Sequence, residues 1–127
     1  MDTSEIYILM CEKAKEIQKL KHYKDGDIFV NFVAGKWQKP NIYTRGRVIP
    51  YESGDYDVWL PRQDQLQGLV EEMPMDYLER LLDIWIVMGC PEDNITWEQF
   101  WLSIVMKDKY NKKWDGNDWV SPFSQLI

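Results

Sequence analysis

Val58-Trp59-Leu60-Pro61-Arg62-Gln63-Asp64-Gln65-Leu66-Gln67 changes character at its fourth residue. Up to Leu60 the residues are bulky and apolar, as in a buried strand. Pro61 then removes a backbone donor and presets the φ of a first helical turn. Arg62 to Gln65 are polar, and Leu66, Leu69, Val70 and Met73 recur at helical spacing until Pro74 stops them. A strand thus runs directly into helical sequence. This divides the chain into an α/β-mixed first half and a helical second half, the pattern of an α+β fold.

Downstream, Asp76 to Met88 reads as a second helix, apolar around most of its circumference and therefore buried. Gly89 and Pro91 end it. A last helix starts at Thr96, with Gln99 three residues on and Ile95 placed to staple against Phe100. Trp97, Trp101, Ile104 and Val105 are expected to point inward. Trp114-Asp115-Gly116-Asn117-Asp118-Trp119 reads as a turn between two indoles that folds back onto the body, because two exposed indoles on a tail would form a sticky patch.

Upstream, residues 27–60 read as a small, twisted antiparallel sheet. Ile28 to Val33 is one strand, Ala34-Gly35 a tight connection to Lys36-Trp37-Gln38, and a second pair runs Tyr43 to Ile49 and Tyr56 to Leu60. Before it, Ile6, Leu9, Met10, Ala14, Ile17 and Leu20 give one apolar stripe on a helix from about Thr3 to Lys21, with Asp2 and Glu5 as its N-terminal signal. Lys24-Asp25-Gly26-Asp27 is the intervening turn. The expectation is a single domain over 1–127: an N-terminal helix, the sheet, and a C-terminal cluster of about three helices.

Composition supports a globular core, with 45% hydrophobic and 28% charged residues. Seven Trp, seven Tyr and four Phe let a small domain bury much area per residue. The N-terminus lacks the basic start of a signal peptide, and Cys11 and Cys90 are expected to be free thiols in a cytoplasmic protein. The longest apolar runs are too short to span a bilayer. The net charge of −6 is unevenly spread: residues 1–50 hold nine Lys/Arg against six Asp/Glu, 51–106 two against twelve, and 107–127 four against three. The acidic middle would repel a phosphate backbone and attract a basic partner. It is equally the pattern of solvated helix faces and acids at helix starts.

Catalytic chemistry finds little purchase. The single His22 and Cys11 are about 16 Å apart by helical rise, too far to form a nucleophile–base pair. Asp115, Asn117 and Asp118 are oxygen donors near a glycine but lack a calcium loop's order and its distant Glu. Glu71-Glu72 and Glu92-Asp93 are adjacent acids of the solvated kind. No metal or cofactor is expected. At the strand-to-helix junction two readings stand: a local cap and ion pair, or a polar recognition patch of Arg62, Gln63 and Asp64 beside the Trp59 indole.

The 59–67 run, with Met106-Lys107, Tyr110-Asn111-Lys112 and Trp114-Asp115-Gly116, resembles a group of small uncharacterised phage and prophage proteins of Gram-positive bacteria. The resemblance covers roughly residues 56–120 and implies a cytoplasmic accessory protein. It brings no activity or functional residue to this chain. Three functions follow, in order. The first is a non-enzymatic protein that binds a host or phage protein, one of basic character, through an acidic surface that includes Glu71, Glu72 and Glu79. The second is an enzyme or small-ligand binder with a pocket near Trp59, Arg62 and Asp64. The third is weak nucleic-acid binding through Lys13, Lys15, Lys19, Lys21 and Lys24, which the acidic balance disfavours.

Overall fold

β1 (Ile28–Val33) is the strand against which the other described strands of the main sheet pair, in a computed structural model that describes residues 1–21, 23–44, 56–70, 79 and 96–121. Its β-branched and aromatic residues suit a pleated, half-buried surface. β2 (Lys36–Trp37) and β3 (Asn41–Ile42) pair antiparallel along one edge of β1, and β4 (Tyr56–Trp59) along the other. Ala34 and Gly35 make the tight turn into β2, both at positive φ (52° and 78°), as the right-handed twist of a two-residue hairpin requires. Between Trp37 opposite Phe32 and Asn41 opposite Phe29 the register slips by one residue. Pro40, which has no N–H to offer a ladder, lies in that interruption.

The second strand pair departs from the sequence pattern. β3 lies at Asn41–Ile42, ahead of the expected start at Tyr43, and β3 and β4 each pair with β1. β1 is the longest described strand and offers two edges, so it satisfies both. Residues 45–55, with the rest of the expected Tyr43 to Ile49 strand, lie outside the described residues.

The N-terminal helix is also interrupted. α1 (Glu5–Lys13) and α2 (Lys15–Gln18) meet at Ala14, whose ψ of 72° leaves the helical region. The break frees the Cys11 carbonyl from the regular ladder, and the Gln18 side-chain amide donates to it at 3.1 Å. The same amide brackets β4, accepting from Trp59 N and donating to Trp59 O, both at 2.9 Å. Lys21 adds an ion pair to Asp57 at 2.9 Å. Two side chains thus occupy hydrogen-bonding groups that the outer edge of β4 would otherwise leave open.

The apolar stripe is turned relative to expectation. Tyr7, Ile8, Met10, Cys11, Ala14 and Ile17 are buried, whereas Ile6 and Leu20 are each 38% exposed. Tyr7 decides this: its ring buries more area than Ile6 can, and its hydroxyl donates to the Pro61 carbonyl at 2.6 Å. The N-cap is Ser4, which accepts from Tyr7 N, rather than Asp2.

α3 (Gln63–Gly68) follows Pro61 and packs on α4 (Trp97–Tyr110). The later part of the expected 66–73 helix, and all of the expected 76–88 helix except Glu79, lie outside the described residues, as does Ile95. Thr96 caps α4 as its spacing predicts, accepting from Gln99 N at 3.2 Å. Phe100, Trp101, Ile104 and Val105 join the core, but Trp97 does not: 62% exposed in the first turn, it stands edge-on to Phe100 at 5.8 Å. Asn111, in the left-handed conformation its short side chain tolerates, ends α4. β5 (Lys113–Trp114) and β6 (Trp119–Val120) then form a hairpin with Trp114 opposite Trp119. It does fold back: the Trp119 indole N–H donates to the Met10 carbonyl at 2.9 Å inside the core. The chain is an α+β protein, with α1, β4, α3 and α4 sharing one core.

Candidate functional site

Pro61 ends β4 and starts α3, so the expected recognition patch sits on a real strand-to-helix junction. Its members are nonetheless separated. Trp59 is in the core at 7% exposure, and its buried indole N–H has no hydrogen-bond partner among the described residues. Arg62 is half-buried and turned to local partners: Nε donates to Asp64 at 3.1 Å, Nη1 donates to the Gly26 carbonyl at 2.8 Å and lies 4.0 Å from Asp27. Gln65 accepts from Arg62 N and donates to Asp27, each near 2.8–2.9 Å. Asp64 is mostly in solvent and Gln63 is half-buried. The junction therefore joins Arg62 to Asp64 and leaves Trp59 in the core. Glu79 is helical and exposed; Glu71 and Glu72 lie outside the described residues.

A cleft lies elsewhere, between α1 and β2. It encloses about 380 Å³ and is lined by Glu5, Ile8, Leu9, Glu12 and Trp37. The helical residues are spaced by three, four and seven, which puts them on one face, with two carboxylates bracketing an apolar pair. Among the described residues the lining holds no basic side chain.

Trp37 is held from behind by its sheet neighbours. Phe32 pairs directly with both Trp37 and Tyr56, so all three rings share one face of the sheet. Phe32 and Tyr56 stack at 5.0 Å, and Trp37 stands roughly perpendicular to both, at 4.9 and 5.8 Å. Tyr56 also reaches the helix, its hydroxyl donating to Glu12 at 3.4 Å. Partial burial and the facing Glu12 carboxylate both raise the Tyr56 phenol above its ordinary value, so it remains a donor. Trp37 itself is 38% exposed.

The sequence tally of charge pointed to residues 51–106, whereas the cleft acids come from α1, in the net-basic first third. A signal did exist: acids seven apart around Ile8-Leu9, and an indole on a two-residue strand with one face uncovered. The partner of that helix face could be found only by folding.

The remaining candidates are structural. Cys11 is fully buried, and burial pushes its thiol well above the ordinary range, which is the opposite of an activated nucleophile. Asp115 accepts from the backbone N–H groups of Asn117 and Asp118 at 2.8 Å, and those bonds hold its carboxyl below the usual value in the hairpin turn. Among the described residues no group of three or more His, Cys, Asp or Glu is placed to hold a metal ion. Lys21, one of the five lysines of the basic segment, is committed to Asp57. No described helix is long and apolar enough to cross a membrane. Comparison with protein-family models, with curated proteins and with solved structures finds no match to this chain.

Proposed function

We propose that the protein acts by binding rather than catalysis, capturing a basic protein partner on an acidic surface. It would do so as a phage or prophage accessory protein in the bacterial cytoplasm. One observation carries the binding reading: a cleft whose described lining joins two carboxylates to an apolar pair and an indole. The net charge of −6 adds long-range attraction of the same sign. The accessory role rests on the resemblance of the 59–67 and 106–116 segments, and the cytoplasmic placement on Cys11, a free and buried thiol.

Fluorescence anisotropy with a labelled Lys/Arg-rich peptide, and with its Glu-rich counterpart, tests the reading. The basic peptide is expected to bind, more weakly as salt rises, and to lose about tenfold in affinity when Glu5 and Glu12 are both changed to Lys. Arg62→Ala, which disturbs only the junction, should leave that affinity unchanged. Equal affinity for the two peptides, or none for either, would overturn it.

A further inference from the structure

We propose that the α1–β2 cleft is a receptor for one Lys or Arg side chain of the basic partner, with Trp37 as its wall and Glu12 as the counter-charge. This rests on the reading above and adds to it a place and a recognition chemistry. A long cationic side chain has two unlike parts, an aliphatic stem and a charged head, and burying both needs an apolar surface beside a carboxylate. Ile8 and Leu9 supply the first, adjacent in sequence and both lining the cleft. Glu12 supplies the second.

Trp37 adds what a plain acidic patch lacks. An indole attracts a cation through its negative face, and a guanidinium can also stack on it. Its ring is fixed by Phe32 and Tyr56, so little side-chain freedom remains to be lost on binding. Glu12 is likewise positioned by the Tyr56 hydroxyl. Tyr56 therefore acts as a positioning residue for both recognition groups, tied to the sheet by its pairing with Phe32. Glu5 lies seven residues from Glu12, about 10 Å along the helix. A single head group cannot bridge the two, so Glu5 serves to guide the approach.

None of the described lining residues comes from the acidic block at 51–106. Glu5, Ile8, Leu9 and Glu12 are on α1, and Trp37 is on β2. Binding that used only the general acidity of the chain would be indifferent to Trp37.

The test uses the full chain, a peptide carrying one Arg among neutral residues, and its twin with citrulline in place of that Arg. Citrulline keeps the shape and removes the charge. The Trp37 indole N–H is followed by NMR, assigned by its loss in Trp37→Leu. The Arg peptide is expected to shift that signal and the citrulline twin to leave it in place. Affinity should fall about tenfold in Trp37→Leu and in Glu12→Gln, and be largely kept in Trp37→Tyr, which retains a ring and guards against a folding artefact.

Loss of the basic-peptide interaction on changing Glu71, Glu72 and Glu79 to Lys, with Trp37→Leu unaffected, would overturn the cleft while leaving a basic partner in place. Failure of every basic peptide to bind would overturn both. An equal response to Arg and citrulline would show a cleft that reads shape alone, and would also overturn the proposal.

Discussion

Gln18 holds three backbone groups with one side-chain amide: the N–H and C=O of Trp59 and the C=O of Cys11. The Cys11 carbonyl also accepts from Ala14 N at 3.2 Å, so the two Trp59 groups are the ones left without this partner, and an unsatisfied part-buried amide group costs more than a hydrogen bond contributes. Gln18→Ala is therefore expected to lower stability by about 2–3 kcal/mol, a large effect for a half-buried polar residue. Urea unfolding checks this, and an unchanged midpoint would mean that β4 keeps its edge without the amide. Nothing in the sequence marks this residue, since a glutamine on a helix is neutral in propensity and pattern. The same scale shows why Tyr7 displaced Ile6 from the core. A helical stripe can be rotated by one residue at little cost, and the residue with the larger ring and a carbonyl within reach of its hydroxyl decides the rotation.

At the scale of elements, the start of α1 and the start of α4 are one construction. Asp2 accepts from Ser4 N at 2.8 Å, from the Thr96 hydroxyl at 2.6 Å and from Gln99 Nε2 at 2.8 Å. The capping pair read from Thr96 and Gln99 is thus half right. Thr96 caps, but Gln99 spends its side chain on Asp2. Burial acts to raise the Asp2 carboxyl, and the hydrogen bonds from Ser4, Thr96 and Gln99 together outweigh it, leaving the group below its ordinary 3.8. A depressed folded-state value means that ionised Asp2 stabilises the fold above pH 3.8, and that this contribution is lost as pH falls through the lower, folded value. Thermal melts between neutral and strongly acidic pH should show Asp2→Asn less stable than the natural chain near neutrality. The gap should narrow as pH drops below 3.8. A gap that stayed constant with pH would remove the charge from the account.

For the molecule as a whole, the two ends of the described chain lock each other. Trp119 inserts between the C-terminal hairpin and α1, its N–H on the Met10 carbonyl, while Lys112 pairs with Glu16 on α2. Trp119→Ala removes most of a buried indole and should cost about 3–5 kcal/mol. Trp119→Phe should cost less, because a ring still fills the site, while both variants lose the bond to Met10 O. Thermal unfolding of the two variants side by side measures the difference. Equal losses would assign the effect to the hydrogen bond rather than to packing. Because α1 is clamped at one face by Trp119 and at its start by Asp2, the opposite face with Glu5 and Glu12 is presented to the sheet at a fixed height. The cleft is a consequence of that clamping.

Local chemistry was sufficient for much of the architecture. Pro61 between a bulky apolar run and a polar turn specified a strand feeding a helix. Ala34-Gly35 specified a tight hairpin, Thr96 the first turn of α4, and Asp115-Gly116 the turn between two indoles. Each depends on residues within a few positions of one another, where propensity and backbone sterics act without help from the rest of the chain. The edge of β4 held by Gln18 and Lys21, the burial of Tyr7 and the exposure of Trp97 depended on groups 36 or more residues away, or on which surface remained uncovered. The candidate site belongs to this second kind. Glu12 and Trp37 are 25 positions apart, and only the packing of α1 on the sheet through β4 sets a carboxylate, an apolar pair and an indole around one space.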